Sequence, residues 1–166
     1  MKHVFQCANI NKKKQPNYFF NTNLNPKTKN YYLCISMATI SNTTKVAEGV
    51  YKEKSSKFLS FAHHVESIDE AKAIVAKYRK EHHKARHVCF AYRIGKDGSI
   101  YRAADDGEPS GTAGRPILKQ LEGAGLTNSM IVVVRYFGGT LLGTGGLVRA
   151  YKEAAADVLA QVVITE

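Results

Sequence analysis

The apolar run Met130–Val134 constrains the fold more than any other segment of this chain. It has the length of a strand, and no polar residue interrupts it. Such a run is typical of a strand that is covered by structure on both sides or is largely buried. The rest of the chain must therefore supply the strands and helices that exclude water from it.

Four other segments have the apolar and aromatic content of strands. They are residues 46–52, 58–65, 88–94 and 100–104. A short polar link joins the first two, and Asp97-Gly98 lies between the last two. Each pair is therefore predicted to form a hairpin.

Three segments predict helices. The first begins at a capping box, with Ser67 as N-cap and Glu70 at N3, and is expected to end near Lys84. The second begins at Pro116, because proline at the first helical position loses no hydrogen bond. The third follows the glycine-rich segment Gly138–Gly146. The resulting order ββαββαβα indicates an α+β fold, a two-layer sandwich with the helices on one face of a mainly antiparallel sheet.

The net charge of +10 is concentrated in the first 36 residues, which carry six lysines and no acid. The remaining residues carry 18 basic and 14 acidic side chains, a net charge of +4. The charge that would attract a polyanionic partner therefore belongs mostly to the N-terminal segment. Asn, Lys, Tyr, Phe and Ile, whose codons are rich in A and T, make up 21 of these 36 residues. This composition favours upstream DNA translated from a start codon placed too early, with Met37 as the true start. A disordered basic arm is the alternative, and in both interpretations the domain itself spans residues 45–164.

The cysteines Cys7, Cys34 and Cys89 are odd in number and show no CxxC spacing. They predict neither a disulfide framework nor a zinc motif. The histidines of residues 82–87 straddle a predicted helix end, and we interpret them as a solvated terminus rather than a metal site. No apolar stretch approaches the length of a membrane span, and Tyr31–Ile40 makes a poor secretory signal. We therefore expect a cytoplasmic protein with no membrane contact, no metal and no cofactor.

The loop Asp105–Pro116 holds three carboxylates within four residues, at Asp105, Asp106 and Glu108. Such oxygens could hold a divalent metal, and paired acids could transfer protons. However, no histidine or cysteine stands near them at ligand spacing, and no nucleophile motif accompanies them. The pattern favours a tight turn in which side chains accept hydrogen bonds from backbone N–H groups and glycines take positive φ.

Five glycines lie in Gly138–Gly146, between the buried strand and the last helix. A glycine loop ahead of a helix can present backbone N–H groups to phosphate. This segment has neither the GxxxxGK[ST] nor the GxGxxG spacing, and Leu141 and Leu142 within it indicate packing. Close backbone packing, binding of nucleic-acid phosphate and binding of a nucleotide all stay open.

Three cations, Arg135, Arg149 and Lys152, lie near this glycine segment in the sequence. Arg149 and Lys152 are three residues apart and are predicted to share a helix face. If the segment turns tightly, all three come close to the N–H groups at the helix start. They are therefore candidates for contacts with phosphate.

Three blocks, in this order, resemble the IMPACT/YigZ family: residues 91–95 (AYRIG), Asp105–Pro116, and residues 131–139 (IVVVRYFGG) with Leu142-Gly143. The resemblance covers about residues 45–162. The resemblance implies a fold similar to the second domain of a small-subunit ribosomal protein. It also implies a role in translation, since eukaryotic members of the family compete for the activator of the kinase that senses uncharged tRNA. For bacterial members nucleic-acid binding is the usual suggestion. Bacterial relatives of this family usually have a second, ferredoxin-like domain after this one. The given sequence does not extend into such a domain, which is what we expect of a truncated gene product or an isolated domain.

We therefore predict a non-catalytic, translation-associated module that binds RNA or the ribosome through weak phosphate contacts. The residues assigned to phosphate are Arg135, Arg149, Lys152, Gly138, Gly139 and Gly145. One alternative is a nucleotide-binding enzyme that uses the Gly138–Gly146 loop. The other is a module for a translation-related protein partner, which would use Asp105, Asp106 and Glu108 as an acidic contact. No residue is predicted to be catalytic.

Overall fold

The computed structural model describes residues 38–40 and 46–165. Their elements are β1 (Ala38–Ile40), β2 (Ala47–Glu53), β3 (Ser56–His64), α1 (Ile68–Glu81), β4 (His87–Ile94), β5 (Ile100–Ala104), α2 (Gly114–Gly123), β6 (Leu126–Thr127), β7 (Ser129–Tyr136), α3 (Gly143–Leu159) and β8 (Ile164–Thr165). Residues 1–36 lie outside this range, so the prediction of a spurious or disordered extension stays a prediction. None of the described helices is both long enough and apolar enough to span a bilayer.

Strand β7 is the centre of a five-stranded sheet with the order β2-β3-β7-β4-β5. Every neighbouring pair in this sheet is antiparallel. Ile131 and Val133 of β7 pack into the core on one face of the sheet, whereas Met130, Val132 and Val134 pack into the core on the other. The buried strand predicted from the apolar run is confirmed.

Helices cover both faces of this sheet. Helices α2 and α3 pack on the face that carries Ile131 and Val133. Helix α1 packs on the opposite face through Ala71, Val75 and Tyr78. The α+β class and the order ββαββαβα are confirmed, but the prediction of two layers with all helices on one face is wrong. The sheet is the middle one of three layers, because a strand that is apolar on both faces must be covered on both.

Helix α1 begins as predicted at Ser67, whose hydroxyl accepts a hydrogen bond from the Glu70 N–H at 3.2 Å. It ends at Glu81, earlier than predicted, with His82 as its C-cap. The Nδ1 atom of His82 lies 2.8 Å from the Tyr136 hydroxyl, so this half-buried ring is turned inward, whereas His83 is exposed as expected. Within residues 38–40 and 46–165, no group of His, Cys, Asp and Glu side chains could hold a metal ion.

Three short strands that the sequence did not predict form a second sheet in the order β6-β1-β8. Strand β1 runs parallel to β6 and antiparallel to β8. Ile40 of β1 is buried, and its N–H donates to the Ser129 hydroxyl at 3.3 Å. The folded unit therefore includes a strand that precedes the predicted domain start at residue 45.

Candidate functional site

The Asp105 carboxylate organises the loop that leads into α2. It accepts hydrogen bonds from the backbone N–H groups of Gly111 (2.8 Å), Ala113 (3.0 Å) and Gly114 (2.8 Å). Burial disfavours its charge, but the three N–H donors outweigh this effect and hold the pKa of Asp105 below its ordinary value. Gly107 and Gly111 take positive φ, at 84° and 75°. The interpretation of this loop as a capped tight turn is confirmed.

The other two carboxylates of the loop also point into the protein. Asp106 forms an ion pair with Arg79 and accepts a hydrogen bond from the Val88 N–H at 2.7 Å. The side chains of Asp106 and Glu108 are only 19% and 4% exposed. The predicted acidic contact surface of Asp105, Asp106 and Glu108 is therefore not formed in the structure. The reason is that backbone donors, the buried Arg135 and the half-exposed Arg79 already use these carboxylates.

Glu108 is the centre of a buried polar network beneath this loop. Its Oε1 atom lies 2.6 Å from Nη1 of Arg135 and accepts a hydrogen bond from the Tyr151 hydroxyl at 2.8 Å. The Nε2 atom of His87 lies 3.8 Å from the same oxygen, and the Cys89 thiol lies 3.3 Å from the Tyr151 hydroxyl. Burial raises the pKa values of Cys89 and Tyr151, so both groups are held in their neutral forms. The buried thiol therefore has the character of a structural cysteine and not of a nucleophile.

Arg135 belongs to this network and not to the surface. It is 5% exposed, and its guanidinium carbon lies 5.6 and 5.7 Å from the ring centroids of Phe58 and Phe137. The prediction that Arg135 contacts phosphate is therefore incorrect, because its charge is compensated by Glu108 in a desolvated position. Sequence spacing could not show this pairing, since the two residues are 27 positions apart.

The glycine segment serves backbone packing and turn geometry. A Cβ atom on Gly138 would lie 2.1 Å from the carbonyl carbon of Ser55, and the Gly138 N–H donates to the Ser56 hydroxyl at 3.3 Å. Gly139 and Gly143 take φ values of 86° and 71°, in the left-handed region. The packing interpretation is thereby supported for Gly138, whose N–H is not free to bind phosphate, whereas Gly139 and Gly143 have open space at the Cβ position and serve the turn geometry. Gly145 lies in the first turn of α3, where an added Cβ would meet no atom within 4 Å.

Arg149 and Lys152 were predicted to share a helix face and to contact phosphate together, but in the structure they have different surroundings. Arg149 forms an ion pair with Glu53 at the end of β2, at 2.9 Å. The Tyr51 hydroxyl and Arg149 both stabilise this carboxylate, and together they lower the pKa of Glu53. Lys152 instead faces α2 and lines a groove there. Arg135, Arg149 and Lys152 thus have three different sets of contacts.

This groove, which we call the α2–α3 groove, is a cationic site of the described surface. It has a volume of about 320 Å³ and is lined by Gly111, Arg115, Pro116, Lys119, Gln120, Val148 and Lys152. Arg115, Lys119 and Lys152 are exposed, and no carboxylate among the described residues lies within ion-pair distance of them. The lining contains three cations and no acid. An arrangement of this kind attracts a multiply charged anion.

Two of the three groove cations were missed at the sequence level. Arg115 and Lys119 are four residues apart, and because α2 begins at Gly114, two residues before the predicted start at Pro116, this spacing places them on one face of the helix. That spacing is the signal by which they could have been found. Their meeting with Lys152 depends on the packing of α2 against α3.

Comparisons with known proteins identify the family of this α+β domain. Residues 54–159 match the family model "Impact N-terminal domain". The chain therefore belongs to the IMPACT family.

Curated relatives support this assignment. An IMPACT family member from Haemophilus influenzae is 48% identical over 108 residues, which cover 64% of this chain and 52% of the relative. The IMPACT family member YigZ from Escherichia coli is 47% identical over 110 residues, 65% of this chain and 54% of the relative. This chain thus spans about half the length of the curated relatives that it matches.

Solved structures agree with the fold. The crystal structure of a hypothetical protein covers 78% of this chain with a TM-score of 0.72 and 41% identity, and the match covers 62% of that protein. The structure of the two-domain translational regulator Yih1 also matches, at 25% identity, with a TM-score of 0.47 that is too low to add to the fold assignment.

Proposed function

We propose that this domain is a non-catalytic, translation-associated module that binds RNA through phosphate contacts in the α2–α3 groove. The proposal combines the role in translation that membership of the IMPACT family implies with the chemistry of one surface site. A translation-related partner would place the protein in the cytoplasm.

The observation that carries the proposal is the convergence of Arg115, Lys119 and Lys152 on a groove without acids. Some described cations, such as Arg79 and Arg149, are paired with carboxylates of the domain, whereas Lys80 on α1 is exposed without such a pair among the described residues and does not line this groove. The three groove cations have no such partner, so an external anion is the natural one. Lysine and arginine side chains bind phosphates largely without regard to base sequence, because the phosphate carries no sequence information.

The non-catalytic part of the proposal is supported by the state of the reactive groups. The Cys89 thiol is buried and neutral, and the carboxylates of Asp105 and Glu108 are used in internal hydrogen bonds. The groove lining offers arginine, lysine and glutamine side chains but no carboxylate, histidine or thiol. A binding role needs nothing more than these cations.

The experiment is a salt titration of RNA binding, followed by fluorescence anisotropy with two single-stranded RNAs of unrelated sequence. Lys152→Ala should weaken binding to both RNAs alike and make the slope of log K against log salt shallower by about 0.7. Lys80→Ala is the matched control, because Lys80 is an exposed lysine on α1, on the other side of the sheet. It removes the same charge from the chain but not from the groove.

Two results would contradict the proposal. One is an absence of RNA affinity at low salt. The other is an equal loss of affinity in Lys152→Ala and Lys80→Ala, which would assign binding to overall charge and leave the groove without a role. In either case a protein partner would become the better candidate.

A further inference from the structure

We propose that the α2–α3 groove recognises a terminal phosphate of an RNA strand, a phosphomonoester, in preference to the phosphodiesters within the strand. This inference rests on the proposed function and names the ligand group for the same groove.

The first argument is the match of charge. A phosphodiester carries one negative charge, whereas a phosphomonoester carries about 1.5 to 2 at pH 7 and has three strong acceptor oxygens. Arg115, Lys119 and Lys152 all line one groove of about 320 Å³. Three cations around one cavity exceed what a single diester can neutralise, and they suit a dianion.

The second argument is the composition of the lining. Sites that bind a strand along its length combine a cationic path with aromatic side chains on which bases stack. The lining of this groove contains no aromatic residue, and its uncharged members include Pro116, Gln120 and Val148. The groove therefore offers contacts for a phosphate but no platform for successive bases.

The third argument is the position of Arg115 in helix α2. The first turn of this helix contains no acidic residue, and Arg115 lies in it, next to the positive end of the helix dipole. A cation at this end is unfavourably placed unless an anion compensates it. The Asp105 carboxylate already accepts hydrogen bonds from the N–H groups of Ala113 and Gly114, so it compensates the helix end from the side of the loop. A second anion in the groove would compensate Arg115 itself.

The test is a competition experiment with the full chain and an internally labelled 12-nucleotide RNA. Unlabelled competitors share one sequence and end in a 5′-phosphate, a 3′-phosphate or hydroxyl groups only. We expect at least one phosphorylated end to compete about fivefold better than the hydroxyl RNA at pH 7.5. The end that competes better identifies which terminus is bound. The advantage should shrink at pH 5.5, where the phosphomonoester takes up a proton, while the affinity for the hydroxyl RNA serves as the reference at each pH.

Variants assign the effect to the groove. Arg115→Ala and Lys152→Ala should each abolish most of the preference for the phosphorylated end, and Lys80→Ala should keep it. Equal competition by all three RNAs, with binding still dependent on Lys152, would overturn this inference and leave the proposed function intact. A preference that survives both groove substitutions would also overturn it. No binding of any RNA would remove the inference and the proposed function together.

Discussion

The burial of Arg135 and Glu108 is the most demanding feature at the scale of single residues. Both side chains are nearly inaccessible, and their contact is 2.6 Å. Two ions removed from water lose several kcal/mol of hydration each, and only close pairing with further hydrogen bonds offsets this loss. The Tyr151 hydroxyl supplies such a bond to Glu108, whereas Nε of Arg135 has no partner among the described residues. The network therefore tolerates the loss of a member poorly.

We expect Glu108→Gln to destabilise the domain by about 3–5 kcal/mol, because it leaves the buried Arg135 without a counter-charge. The measurement is the free energy of unfolding in urea at pH 7. Asp69→Asn is the control, since Asp69 forms an exposed pair with Lys72 and should change stability by less than about 0.5 kcal/mol. The double substitution Glu108→Leu with Arg135→Met should cost less than Glu108→Gln alone. A loss below about 1 kcal/mol for Glu108→Gln would contradict the view that this pair is desolvated.

The half-buried His63 predicts a dependence of stability on pH. Burial, with a smaller contribution from Lys77 and against an opposing effect of Glu70, lowers the pKa of His63 from 6.5 to about 4. Between pH 6.5 and about 4 the unfolded chain therefore binds more protons than the folded domain, so stability falls as the pH falls through this window. Because the ring is partly exposed, we expect a contribution of about 1–2 kcal/mol, less than the full shift would give.

Urea unfolding at pH 7 and pH 4.5 would measure this contribution. His63→Gln should lose less stability on acidification than the wild-type chain, and His83→Gln, at an exposed position, should lose as much as wild type. An identical acid loss in all three proteins would show that His63 does not titrate differently on folding.

At the scale of elements, the connection between β7 and α3 depends on individual glycines in opposite ways. We expect Gly138→Ala to destabilise the domain by more than about 2 kcal/mol, because its methyl group would collide with the backbone at Ser55. Gly145→Ala should be neutral or stabilise by up to about 1 kcal/mol, because the site is helical and open and alanine favours helix. Thermal unfolding compares the two directly. If Gly145→Ala instead abolished RNA binding at unchanged stability, this helix start would be part of a phosphate site after all.

The elements themselves were largely predictable, because their signals are local. The apolar run at Met130–Val134, the Ser67 capping box and Pro116 each mark a strand or a helix without reference to the rest of the chain. The packing of α1 on the opposite face of the sheet from α2 and α3 was not predicted, although a strand that is apolar on both faces already requires a third layer. The pattern of paired strands with helices between them does not by itself distinguish two layers from three.

The candidate site was less predictable, because its contacts join distant segments. The partners Glu53 and Arg149 are 96 positions apart, so the sequence could not show that this arginine is already compensated. For the same reason, the sequence could not show that Arg115 of α2 and Lys152 of α3 line one groove. Charge and spacing identified the types of side chain that matter, and tertiary packing decided which of them remain free.

At the scale of the whole molecule, strand β1 defines where the folded unit can be shortened. We expect a chain that begins at Met37 to keep its melting temperature within about 10 °C of the full chain, because β1 and its partners remain. A chain that begins at Val46 should lose about 2–3 kcal/mol, since it lacks the buried side chain of Ile40 and the pairing of β1. Differential scanning calorimetry of the three chains is the measurement. A large loss already at Met37 would show that residues 1–36 contribute to the fold.

The pairing of β1 with β8 has a consequence for how the domain can be built into other proteins. Ile40 lies opposite Ile164 in this antiparallel pair, so the polypeptide enters and leaves the domain at neighbouring points. If the domain were inserted into a loop of a host protein, the two connections to the host would lie close together, so the host fold would not need to separate them by the width of a domain. A short bridge of a few residues could likewise join the two ends into a ring, and new termini could then be opened at an exposed turn such as the one at Lys96.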